Sequence, residues 1–208
     1  MAYFNKTWTL DRIIEEFQFL AYSLEAEERT APLAVPVRDF LGSLQTFNAQ
    51  KKAAQSEQLR LTAMVHAADR TLDLTLSALS GQARLMERVN PALNLLGTLF
   101  PEGLNAVTKY SGRGVEQELL IARTLLGAIA KIPDAAPLAE AAAAVSTACD
   151  RAEAALNQLK AVDAQIEALR NDESDLTGRA YTAYHSTFAD LVKLFNNNKR
   201  HINTYFLS

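Results

Sequence analysis

The chain has 208 residues, of which 49% are hydrophobic and 22% charged, with 8 glycines, 6 prolines and one cysteine. This length fits one domain with a substantial core, or two small ones, and the composition excludes disordered, collagen-like and disulfide-rich proteins. The formal net charge of −3 gives no electrostatic reason to expect nucleic acid or an acidic membrane as a partner, and no run of about 18 apolar residues predicts a membrane span.

The prolines predict where helices end. Inside a helix, proline removes a backbone donor and clashes with the preceding turn, at a cost of about 3 kcal/mol. The six prolines form three close pairs: Pro32 with Pro36, Pro91 with Pro101, and Pro133 with Pro137. They separate four proline-free blocks, at about 7–30, 37–90, 104–132 and 138–196, followed by a tail at 197–208.

Each block repeats apolar residues at steps of three and four, as one face of an α-helix does. In the first block the repeat runs through Leu10, Ile13 and Phe17, and in the third through Val115, Leu119 and Ala122. No comparable run alternates with the period of two that a strand requires. The sequence therefore predicts a single all-α domain over 1–208, an elongated antiparallel helical bundle with two long and two shorter helices.

Two polar stretches leave an alternative open. If the long blocks break near 50–58 and 170–175, the same sequence forms a compact bundle of six helices. Neither stretch contains glycine or proline, so the local chemistry favours continuous helices.

A search for catalytic or metal-binding residues predicts no such site. His66, Asp69 and Asp73 share one helix face, but a metal site in a bundle needs further ligands from a facing helix, and no Glu-x-x-His occurs in the chain. We interpret the three as an ordinary polar stripe. Cys149 lies on an apolar seam, where a lone cysteine acts as a small hydrophobic residue, and the glycine-rich segment 111–115 is interpreted as a hinge. No cofactor is predicted.

The C-terminal tail is the most suggestive segment. Three asparagines and a short basic run lead into four apolar side chains: Ile202, Tyr205, Phe206 and Leu207. Large apolar groups on a polar tether can fill a groove, either on the chain's own bundle or on a partner. We interpret these four residues as partner-binding, and the choice between docking in cis and in trans stays open.

Three functional hypotheses follow. The first is a cytoplasmic, non-enzymatic interaction or assembly module that associates with itself or with another helical protein. It predicts that deleting the tail lowers the assembly state. The alternative is a bundle that binds a small molecule or cofactor in a pocket among the terminal aromatics, namely Trp8, Phe17, Tyr181, Tyr184 and Phe188. An enzyme using His66 or His185 has no support beyond the presence of those residues.

Overall fold

The computed structural model describes residues 4–5, 7–101, 103, 115–132 and 136–207, and within them it contains six α-helices and no β-strand. The helices are α1 (Leu10–Glu25), α2 (Ala31–Val89), α3 (Leu95–Leu99), α4 (Val115–Ile129), α5 (Ala139–Leu194) and α6 (Lys199–Ile202). Single 3₁₀ turns lie at Pro91–Leu93, Ala136–Leu138 and Asn203–Tyr205. The all-α prediction is confirmed.

Both long helices are continuous. α2 has 59 residues and α5 has 56, and each passes without interruption through the polar stretch where a break was considered. The six helices of the described chain thus do not arise from breaks in the long blocks. The two additional ones, α3 and α6, are single short turns in the second connector and in the tail. The predicted hinge at 111–115 lies outside the described residues, apart from Val115, which begins α4.

The first connector is shorter than predicted. α2 begins at Ala31 rather than near Val37, and it includes both Pro32 and Pro36. Pro32 stands in the first turn, where a backbone N–H has no partner within the helix, so its ring costs little there. Pro36 removes one helical hydrogen bond, but both prolines are exposed and water can satisfy the carbonyl left without a donor.

The chain divides into two compact units. Unit 1 consists of Met1–Ser56 and Ala164–Ser208, and unit 2 of Glu57–Asp163. α2 and α5 run antiparallel within each unit. In unit 1 the Lys51 ammonium lies 2.6 Å from the Glu173 carboxylate, and in unit 2 the Gln58 amide donates to Asp163 at 2.7 Å. Each of the two long helices belongs partly to unit 1 and partly to unit 2. This division does not test whether residues 1–208 form a single domain, which stays a prediction.

Unit 1 packs α1 against the beginning of α2 and the end of α5. Thr9 caps α1 by accepting a hydrogen bond from the backbone N–H of Arg12 at 3.3 Å. Asp11 holds α1 to α2 by accepting from Asn48 at 2.7 Å and from Lys52 at 3.0 Å. The predicted apolar face of the first block lies in this core, where Ile13, Phe17 and Leu24 are fully buried.

Unit 2 packs α3 and α4 against the second half of α2 and the first half of α5. Its core is formed by leucines of α2 and small residues of α5, with Leu95, Leu125 and Leu138 added from the shorter elements. Arg123 ties α4 to α5, with its guanidinium 2.6 Å from Asp150 and 3.2 Å from Glu153.

Candidate functional site

The C-terminal tail lies in the core of its own chain. Ile202, Tyr205 and Phe206 are buried in unit 1, and Leu207 is half-buried. Asn198 begins α6 by accepting from the backbone N–H of His201 at 3.3 Å. Three of the four side chains are therefore covered within the chain, and the partner-binding role of these four residues stays a prediction.

Glu16 of α1 anchors the end of the tail. Its side chain is fully buried, and its Oε1 accepts from the backbone N–H of Leu207 at 3.1 Å and from the hydroxyl of Tyr184 at 3.4 Å. Its Oε2 is buried without a hydrogen-bond partner among the described residues. Burial raises the pKa of the Glu16 carboxyl above its ordinary value, while these two donors act in the opposite direction.

All five terminal aromatics belong to the unit 1 core or pack against it. Two further rings fill the space among them. The centroid of Phe4 lies 5.1 Å from Trp8 and 5.4 Å from Tyr184, and Phe206 lies 4.8 Å from Tyr184. These are ordinary ring-packing distances, so the rings cover one another's apolar surface. The exposed His185 packs its ring 4.3 Å from that of Tyr181.

The polar stripe of α2 has a facing residue that the sequence analysis missed. Glu118 of α4 is buried at 1% exposure, and its carboxyl interacts with both Asp69 and Asp73. Burial, together with these two carboxyls, raises the pKa of Glu118 to about 9. His66 is exposed. Among the described residues, no group of three His, Cys, Asp or Glu side chains is arranged to hold a metal ion.

The spacing of α4 contains the signal that could have identified Glu118. It precedes Ala122, Leu125 and Ile129 at steps of four, three and four, and all of them are buried. An acidic residue in phase with a buried apolar face is expected to be buried with it.

Cys149 of α5 is also buried. Burial raises the pKa of its thiol, which therefore stays protonated at neutral pH.

A groove of about 390 Å³ lies between α2 and α5 in unit 2. Most of its lining side chains are small. The lining residues are Met64, Ala67, Ala68 and Thr71 of α2, and Ala148, Arg151, Ala154, Ala155 and Gln158 of α5. Small side chains at such positions let a further helix approach closely.

α2 also exposes large apolar side chains, both in the groove and beyond its C-terminal end. Met64 is 41% exposed, Leu74 is 72% exposed and Leu85 is 56% exposed. We define the outer face of α2 as the helix positions that repeat at steps of three and four from Glu57 to Ala78, together with Leu85 seven residues further on: Glu57, Arg60, Met64, Ala67, Thr71, Leu74, Ala78 and Leu85. Exposed apolar residues that follow one face of a helix make that face a candidate interaction surface.

Comparisons with known proteins find no match to any family model, curated protein or solved structure. No helix in the described part of the chain has both the length and the apolar character needed to cross a membrane.

Proposed function

We propose that this protein is a non-enzymatic interaction module that self-associates through the outer face of α2 and the adjoining groove of unit 2. The observation that carries the proposal is the exposure of Leu74 and Met64 beside a groove formed largely by alanines. Bulky side chains next to small ones are what helix packing requires, because ridges on one helix fill grooves on the next.

The terminal aromatics and the C-terminal tail support self-association less well than the outer face of α2 does. The terminal aromatics and the tail already cover one another in unit 1, with Ile202 fully buried and Tyr205 and Phe206 nearly so. Leu74 and Leu85, in contrast, have most of their surface in contact with solvent. A partner that covered them would remove apolar area from water, at about 25 cal/mol per Å².

Light scattering coupled to size-exclusion chromatography, over a hundredfold range of protein concentration, tests the proposal. We expect the mass to rise from the 22.8 kDa of one chain toward twice that value. Ala154→Arg places a long charged side chain in the groove and should keep the protein monomeric. The matched control is Gln117→Arg, an exposed position on α4 outside the groove lining. A wild-type mass that stays at one chain throughout would overturn the proposal.

A further inference from the structure

Few buried contacts hold α4 in unit 2. The helix has 15 residues, a length at which an isolated helix is only marginally stable in water, and it buries four side chains: Glu118, Ala122, Leu125 and Ile129. Its ion pairs to α5 are made by exposed side chains, and such pairs contribute little to stability. One of the four buried side chains that attach α4 to the rest of unit 2 is therefore an ionisable carboxyl.

This carboxyl meets two others across the contact between α4 and α2. Glu118 interacts with Asp69 and Asp73, which are half-buried and one helical turn apart. Oε1 of Glu118 and Oδ1 of Asp73 are both buried, and neither has a hydrogen-bond partner among the described residues. A proton on Glu118 provides the missing donor, because a protonated carboxyl has an O–H that a carboxylate can accept. Without that proton, buried like charges would lie against each other.

We propose that α4 is fastened to α2 by a proton-dependent latch, in which the protonated Glu118 donates to the Asp73 carboxylate. Loss of this proton to the solvent removes the donor and lets α4 open locally, while α2 and α5 remain folded. The latch acts within one chain, so a monomer is sufficient for it.

The titratable groups around Glu118 come from two of the three helices in its unit. α2 contributes Asp69 and Asp73, α5 contributes the Cys149 thiol, and α3 contains no titratable residue. Two further acidic side chains of α5 form ion pairs with Arg123 on α4. The thiol stays neutral at neutral pH, so the two aspartates are the charges that oppose ionisation of Glu118.

The pH range of the latch follows from the two states of Glu118. In the closed chain, burial and then the two aspartates raise its pKa to about 9, whereas an exposed glutamate keeps its ordinary value of 4.5. The closed state therefore binds the proton more tightly than the open state. Between about pH 5 and 8, the equilibrium constant for opening should rise about tenfold for each pH unit.

Opening of α4 gives access to Cys149. Its thiol is fully buried in the same core cluster as Ala122 and Leu125 of α4, and it interacts electrostatically with Glu118. It is the one cysteine in the sequence, so a thiol reagent reports on this position alone. A closed α4 protects the thiol, and an open α4 exposes it.

Alkylation of Cys149 by iodoacetamide, in the full-length chain between about pH 6 and 8, tests the latch. The exposed thiol itself reacts almost tenfold faster per pH unit, because the thiolate is the nucleophile. The latch adds a second factor of about ten, so the wild-type rate should rise about 7,000-fold over this range. Glu118→Gln has no proton to lose and should rise only about 80-fold. Glu116→Gln, at an exposed position on the same helix, is the matched control and should behave as the wild type.

The latch is overturned if the wild-type rate follows only the thiolate, or if Glu118→Gln keeps the steeper dependence. Asp73→Asn tests the pairing, because its amide can donate to an ionised Glu118 and should end the steep range at a lower pH. An unchanged profile would show that Asp73 is not the acceptor.

Urea separates local opening from unfolding of the whole chain. Opening of one helix exposes little surface, so the alkylation rate should change little up to about 1 M urea. A rate that rises as steeply with urea as global unfolding does would mean that the thiol is reached only by unfolding, and the latch would then be wrong.

Discussion

The backbone N–H of Leu207 donates to Oε1 of Glu16 at 3.1 Å, joining the last described residue of the chain to the middle of α1. Glu16 is fully buried at this point, and the Tyr184 hydroxyl donates to the same oxygen. A single carboxyl thus holds the tail against both α1 and α5. The contact makes the tail part of the unit 1 core, and it can be tested by removing the acceptor.

We expect Glu16→Ala to lower the free energy of unfolding by about 1–3 kcal/mol, because it leaves the buried Tyr184 hydroxyl and the half-buried Leu207 N–H without an acceptor. Glu16→Gln keeps an oxygen acceptor and should retain most of the stability. Urea unfolding of both variants at pH 5 measures the difference, with Glu15→Ala at the neighbouring exposed position as control. Equal losses in the alanine and glutamine variants would contradict the role of Glu16 as the acceptor.

Phe206 provides a test of the apolar part of the tail. We expect Phe206→Ala to destabilise the protein by about 3 kcal/mol, because it creates a cavity beside Tyr184. Phe19→Ala is the matched control, since Phe19 is 37% exposed and its variant should lose far less stability.

Deleting residues 202–208 should lower the melting temperature measured by circular dichroism, because the deletion removes buried apolar side chains from the unit 1 core. If the truncated protein keeps its stability but no longer dimerises, the tail must instead lie between two copies of the chain.

Glu118 predicts a dependence of stability on pH. Its pKa is raised to about 9 in the folded chain, from an ordinary 4.5, so the folded state binds this proton more tightly than the unfolded state. The contribution of Glu118 to the free energy of unfolding is fully present below about pH 4.5. It is lost as the pH rises toward 9, at up to about 1.4 kcal/mol per pH unit. The raised pKa of Glu118 comes first from its burial and then from the neighbouring carboxyls of Asp73 and Asp69.

Thermal unfolding between pH 5 and 9 measures this slope. Glu118→Gln should flatten it and raise the stability at pH 8, because the amide stays neutral. Glu116→Gln, at an exposed position two residues earlier, should leave the slope in place. Parallel pH profiles for the wild type and Glu118→Gln would show that Glu118 does not hold the proton.

The fold could be predicted to the extent that each helix carries its own periodic signal. The steps of three and four identified every long helix, and the absence of glycine and proline at 50–58 correctly favoured a continuous α2. Pro36 was misinterpreted as a helix end, because the rule that places proline outside helices is relaxed near an exposed N-terminus. The division into two units depends on contacts distant in sequence, which periodicity does not report.

The candidate site was harder to predict, since it depends on which faces remain uncovered. Phe206 and Leu74 are both large apolar residues in the sequence, yet the first is buried and the second is 72% exposed. Only the packing of the neighbouring helices separates the two cases.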